Sequence, residues 1–205
     1  MLKIAVSGKM VAGKTTLTNL IQQHHETQQP SNDNYFREAY SCSRQISLAA
    51  PVKQVAKEYF LMPENYKDRP LLQKIGQHFR EIRPSIWIDL LIANAEEISQ
   101  EFTSKKIKGC LVCDDVRFPN ELDALRENGW FLIRLQVDDD IRKKRVTHLY
   151  PDDSDIHWAN RNEISETALD DYEGGWDLVL TNPDFSDLKK IVAEFYARLS
   201  HSAYA

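Results

Sequence analysis

The string "GKMVAGKT", residues 8–15, follows a short apolar run, "LKIAV", and precedes Leu17, Leu20, Ile21 and His24, spaced as one face of a helix. It fits G-x-x-x-x-G-K-[ST] without a mismatch. No other feature restricts the fold as strongly. A strand must end in a tight anion-binding loop that opens directly into a helix, so that inward-pointing N–H groups and the positive end of the helix dipole share one ligand. The glycines let the backbone wrap closely round phosphates. Lys14 is placed to reach the β- and γ-phosphates of a nucleoside triphosphate, and the Thr15 hydroxyl to ligate Mg²⁺.

The rest of the 205 residues must supply the other strands of such a sheet. Further apolar runs at about 40–48, 109–114, 130–136 and 176–181 read as strands, with helical patterns between them. Pro51 can open a helix with Val52, Val55, Ala56 and Tyr59 on one side. Asp68 can cap another carrying Leu72, Ile75, Phe79 and Ile82. After Pro84 a long stripe follows: Trp87, Leu91, Ala95, Ile98 and Phe102. "PNELDALRENG" reads as a short helix stopped at Gly129. Ser186 is the expected cap of a last helix facing the core with Leu188, Ile191, Val192, Phe195 and Leu199. Strands alternating with helices imply a mostly parallel sheet covered on both faces.

One domain is expected over 1–205, with a core of 1–48, 106–138 and 171–205. Residues 49–105, without a convincing strand, form a helical insertion, and the charged stretch 139–170 forms a lid. A net charge of −5 gives no basic field to draw polynucleotide or membrane. No apolar run nears ~18 residues and no signal-type h-region opens the chain, so a cytoplasmic location is expected. Cys110 and Cys113 form C-x-x-C inside the apolar run "CLVCDDV", with no second pair to complete zinc; buried strand cysteines are the better reading.

A GTPase would need an N-K-x-D reader and a D-x-x-G switch; "TNPD" at 181–184 is the nearest approach and lacks the lysine. A helicase or motor would bring a basic track. A small-molecule kinase remains, and several arginines suit the charge that gathers when a phosphoryl group moves between two phosphorylated substrates. "CLVCDDVRFPNEL", residues 110–122, places two carboxylates and then an arginine at a strand's carboxyl end, where ligands of parallel sheets bind. Strand alternation aims one of Asp114 and Asp115 at the metal and turns the other away. The competing reading is a helix-capping aspartate plus a surface charge.

At these residues the chain resembles the deoxynucleoside monophosphate kinases typical of bacteriophages. The likeness runs through the phosphate loop, "SLAAPVKQVAKEYF" at 47–60, "RPLLQKIGQHFREIRPSIWI" at 69–88, "DVRFPNE" at 115–121 and "SETALDDYEGGWDLVLTNPD" at 165–184. It implies an α/β, P-loop kinase-type three-layer fold with a central, mostly parallel five-stranded sheet, a helical acceptor-binding insertion and a lid. It implies ATP, Mg²⁺ and γ-phosphoryl transfer to a deoxynucleoside 5′-monophosphate in the host cytoplasm. Gly8, Lys9, Val11, Ala12, Gly13, Lys14, Thr15 and Thr16 are the expected ATP-binding set, and Thr15, Asp114 and Asp115 the expected metal set.

Lys14 and Asp115 are expected to be catalytic, with Arg142 or Arg145 closing from the lid. Lys9, Arg80 and Arg117 would hold the acceptor, joined by Arg44 beside a strand end. Trp158 is the better base-stacking candidate, since Trp87 reads as core. Glu166 either reads a base edge or caps a helix. A free nucleotide is the expected acceptor, ahead of a polynucleotide, and a homodimer is open. The alternatives are a dephospho-coenzyme A or sugar-type kinase, a kinase acting on a modified base in phage DNA, and a nucleotide-binding module without transfer activity.

Overall fold

A computed structural model describes residues 1–27, 41–66 and 68–202, with side chains to 198. Five strands, β1 (Leu2–Gly8), β2 (Ser41–Gln45), β3 (Lys108–Val116), β4 (Phe131–Gln136) and β5 (Leu178–Thr181), form one sheet in the order β2-β3-β1-β4-β5. All four ladders are parallel. Position 40 of the expected second strand and the Leu199 side chain lie outside the described residues.

Burial on both faces is written into the central strands. Ile4 and Val6 join Cys110, Val112, Ile133 and Leu135 on one face. Ala5, Leu111, Cys113 and Leu132 alternate to the other. The first face is covered by α1 (Lys14–Thr27) and α9 (Phe185–Ser202). The second is covered by α2 (Ala49–Phe60), α3 (Arg69–Ile82), α4 (Ile86–Ser104) and α5 (Pro119–Glu127). Cys110 and Cys113 are free and fully buried, and burial pushes the Cys110 thiol up to about 12, so both serve as core residues.

Helix ends follow local chemistry. Asp68 caps α3 by accepting from Leu71 N at 3.0 Å, and α3 ends where Arg83 turns extended before Pro84. α4 buries Trp87, Leu91, Ala95, Ile98 and Phe102, the expected stripe. Gly129, at φ 72°, follows α5 in the left-handed region. Three expectations are corrected. α2 starts at Ala49, two residues before Pro51. Tyr59 and Ile82 are 71% and 83% exposed, because each lies in the last turn of its helix, at the rim of the packed layer. The cap of α9 is Asp184, not Ser186: Asp184 Oδ1 accepts from Asp187 N at 2.8 Å, and Asp187 returns a bond to Asp184 N.

After β4 come α6 (Asp139–Leu149), α7 (Ser154–Ala159), a 3-10 turn (Asn160–Asn162) and α8 (Ile164–Thr167), the stretch read as a lid. Among the described residues no helix is long and apolar enough to cross a membrane.

Candidate active site

β1 delivers Gly8 hard against β4. A Cβ there would fall 2.9 Å from the Leu135 carbonyl oxygen, so only glycine allows the approach. The loop then turns through two left-handed residues, Val11 at φ 51° and Gly13 at φ 102°. Leu17 N bonds Gly13 O as α1 begins, and the preceding amides have no intrahelical acceptor. Lys14 folds over this cup, donating to Gly8 O at 2.7 Å and Lys9 O at 2.9 Å. Its ammonium is pushed down to about 7, by burial first and then by Arg117 and Arg134, against the opposing pull of Glu166 and Asp114.

The two aspartates of β3 separate by strand alternation, and tertiary contacts decide which goes where. Asp114 faces α1: its Oδ2 accepts from Thr15 Oγ1 at 2.8 Å and its Oδ1 from Gln45 Nε2 at 2.9 Å. Asp115 faces α2. It accepts from Leu48 N at 3.0 Å, Ala49 N at 2.9 Å and Ser47 Oγ at 2.6 Å, holding the start of α2. The catalytic and metal roles expected of Asp115 therefore do not fit its geometry; it is the helix-capping aspartate. A hydroxyl and a carboxylate oxygen 2.8 Å apart at the loop's mouth are the hard oxygen donors that Mg²⁺ prefers. No group of three or more His, Cys, Asp or Glu that could hold a metal occurs among the described residues. Mg²⁺ suits such a sparse set, because it keeps waters and substrate phosphates as its other ligands.

Opposite the loop, cations and carboxylates interlock. Arg117 donates to Glu166 Oε1 and to Ser165 O, and Glu166 Oε2 accepts from Met10 N of the loop at 2.5 Å. Both Glu166 oxygens thus face Arg117 and the loop, and neither caps a helix. Lys9 pairs with Asp170 at 2.6 Å. Asp170 also takes Arg134, whose side chain is 8% exposed and donates to Ser7 Oγ at 3.2 Å. Arg134 is the residue missed from sequence. Its signal is a charge inside the apolar strand "FLIRLQ", where an arginine needs a built partner.

Arg142 and Arg145, the two arginines expected of a lid, have different partners. Arg145 Nη1 donates to Val11 O and Ala12 O at 3.2 Å, and its Nη2 to Pro183 O at 3.4 Å. It thereby ties the loop to the β5–α9 turn. These residues border a cavity of about 730 Å³ with Thr15, Thr16, Ile141, His148 and Phe185. Pro183 and Asp184 of "TNPD" line this cavity, and the Asn182 side chain accepts from Asp138 N and donates to Asp138 Oδ2, both at 2.9 Å.

Arg142 is 1% exposed, bonded to Asp139 at 2.5 Å and 5.3 Å from the Trp158 ring, with Arg161 at the same distance from that ring. Its Nε and Nη1 have no hydrogen-bond partner among the described residues. Trp158 is thus engaged by two guanidinium groups.

Arg80 stands over the Phe118 ring at 4.6 Å and pairs with buried Glu121, which also accepts from Arg117 N and Phe118 N. Burial raises the Glu121 carboxyl despite these donors. Arg44 belongs elsewhere. It bonds Glu101 twice, at 2.6 and 2.9 Å, and lies over Phe102. In the sheet it is level with Leu111, about 10 Å of strand back from Asp114. The structure therefore leaves Arg44 out of the cluster.

No family model and no curated protein sequence matches the chain. Solved structures do. A dephospho-CoA kinase from Campylobacter jejuni is similar with a TM-score of 0.53 at 13% identity, over 98% of this chain and 98% of that one. A gluconokinase from Sinorhizobium meliloti 1021 gives 0.51 at 17%, over 99% and 95%. TT1252 from Thermus thermophilus gives 0.51 at 14%, over 97% and 97%. The likeness is one of fold, and the expected fold class is the one observed: α/β, with a central parallel five-stranded sheet between helical layers.

Proposed function

We propose that this chain is an ATP-dependent kinase whose acceptor carries a phosphate of its own, and that the acceptor is a deoxynucleoside 5′-monophosphate. One observation carries the reading: Lys14, Arg117 and Arg134 gather at the phosphate loop on the face turned toward α2–α5, with Lys9 beside them. That is more cation than a triphosphate tail alone requires. The resemblance running through "DVRFPNE" and "SETALDDYEGGWDLVLTNPD" supplies the nucleotide.

In this mechanism the loop amides and Lys14 hold the donor's phosphates, and the 730 Å³ cavity beside Arg145 takes its base. An acceptor phosphate oxygen forms the new P–O bond as the bond to the β,γ-bridging oxygen breaks, giving two diphosphates. Lys14 neutralises charge spread over the transferred oxygens. Arg117 and Arg134 fix the acceptor's phosphate in line. No strong base is needed, since a monophosphate has its second pKa near 6 and is largely ionised already. Mg²⁺, when bound at Thr15 and Asp114, would add positive charge on the donor's phosphates.

Arg142 would join the transfer only by leaving Asp139 and the Trp158 ring as the lid moves, whereas Arg145 already stands at the loop on the donor side. Lid 139–170 and insertion 49–105 would close over the two substrates.

The test is ADP release from a panel of deoxy- and ribonucleoside monophosphates, dephospho-coenzyme A and sugars, with Lys14→Ala as control. A deoxynucleoside monophosphate should dominate. Selective turnover of dephospho-coenzyme A would move the chain to the second reading, which the shared fold with that kinase favours. Wild-type turnover by the Lys14→Ala protein would remove the kinase reading altogether.

A further inference from the structure

Two carboxylates four residues apart, Glu166 and Asp170, engage the positive groups that ring the phosphate loop. Glu166 bridges the Met10 amide and Arg117, and its side chain is only 10% exposed. Asp170 bridges Lys9 at 2.6 Å and Arg134 at 3.4 Å. The cationic groups come from three separate core positions: the loop, the residue after β3, and the middle of β4. The anionic ones come from a single short span, Glu166 within α8 and Asp170 just after it. Arg134 is anchored from below by Ser7 and by the Trp176 ring at 5.5 Å, so its guanidinium keeps its place whichever anion sits above it.

Each carboxylate offers two oxygens and one charge. A phosphate monoester offers three oxygens and nearly two charges, and its geometry matches an arginine fork at least as well. The two kinds of anion would sit on the same donors, and two negative groups cannot share them.

We propose that Glu166, with Asp170, is an internal stand-in for the acceptor's phosphate: it occupies the Arg117–Met10 cradle, and a phosphate-bearing ligand enters by displacing it. The inference rests on the acceptor-site reading given above. Its consequence is that acceptor binding and the position of residues 163–171 are one event. The phosphate that fills the cradle also frees residues 163–171 from the loop, a step that precedes closure of the lid over both substrates. The contact offsets most of the site's positive charge and sets a threshold that only a doubly charged ligand overcomes. A singly charged carboxylate ligand gains nothing by the exchange.

The experiment needs neither ATP nor turnover, so its outcome is separate from that of the kinase assay. Inorganic phosphate is titrated calorimetrically into the full wild-type chain, Glu166→Gln, Asp170→Asn and the double variant Glu166→Gln/Arg117→Met, each first checked by thermal melting. Glu166→Gln should bind phosphate at least about tenfold more tightly than wild type, because a competing charge has been removed. Adding Arg117→Met should abolish the gain. In the wild type, phosphate should accelerate hydrogen exchange at the amides of 163–171.

Unchanged or weaker phosphate binding by a folded Glu166→Gln protein overturns the proposal and leaves Glu166 as a structural brace. If that variant does not fold, Asp170→Asn and the wild-type exchange decide. No tightening, together with unaltered exchange at 163–171, overturns it equally.

Discussion

Thr15 Oγ1 donates to Asp114 Oδ2 at 2.8 Å, joining the first turn of α1 to the end of β3 across 99 residues of chain. The next residue, Asp115, makes no such contact and instead receives the first amides of α2. Neighbouring carboxylates thus have different work, and substitution should separate them. Asp114→Asn should leave the unfolding midpoint in urea nearly unchanged and lower phosphoryl transfer by about 100-fold or more, through loss of metal-held charge. Asp115→Ala should cost about 1–3 kcal/mol of stability through the uncapped helix start. Transfer per folded Asp115→Ala molecule should fall far less than in Asp114→Asn.

Lys14 titrates near 7 in the fold and near 10.5 when free. Between those values the unfolded chain holds a proton that the folded chain lacks. Stability therefore falls as pH drops from about 10.5 toward 7 and is level below, as far as this group is concerned. Lys14→Met removes that slope. At neutral pH the variant should be at least as stable as wild type in urea while ADP formation drops by roughly 1000-fold. A large loss of stability in Lys14→Met would contradict the buried, destabilised ammonium.

The same ammonium should draw a proton when a polyphosphate arrives. An anion beside Lys14 favours its charged form, so ATP binding at about pH 8 should take up close to one proton per site. Calorimetry in buffers of different ionisation enthalpy measures this directly. The uptake should disappear in Lys14→Met and shrink at pH values below the free-enzyme value of about 7.

Arg145 connects Val11 O, Ala12 O and Pro183 O at the mouth of the large cavity. Arg145→Met should raise the KM for ATP roughly tenfold, the worth of hydrogen bonds from a charged group, with little change in the KM for the acceptor. Equal effects on both substrates would place Arg145 at the transfer centre instead.

Gly109 of β3 lies against the Phe102 ring, where an added Cβ would meet Cδ2 at 2.0 Å. Gly109→Ala should destabilise by about 1–3 kcal/mol through overpacking, read from urea unfolding, while activity per folded molecule stays near wild type. Its distance from the loop makes it a control for the site variants.

Some of this was legible in residue order alone. Strand β1, the phosphate loop and α1 are contiguous, and apolar spacing plus G-x-x-x-x-G-K-T determines all three with no distant partner needed. The α4 stripe and the Asp68 cap are likewise local, since a helix face and an N-cap depend on residues within a turn or two. Alternation along β3 required Asp114 and Asp115 to point to opposite faces, without naming which of them meets Thr15.

Tertiary structure decided the rest, because the partners are far apart in the chain and chemistry alone does not choose among similar charges. α2 reaching the far side of β3 made Asp115 a cap. Glu101 and Phe102 on α4 took Arg44 away from the site. Glu166 meets Met10 across 156 residues and Asp170 meets Lys9 across 161, so only the folded chain brings them to the loop. An arginine's direction is set by whichever carboxylate the packing of distant elements brings within reach, and residue spacing carries no record of that.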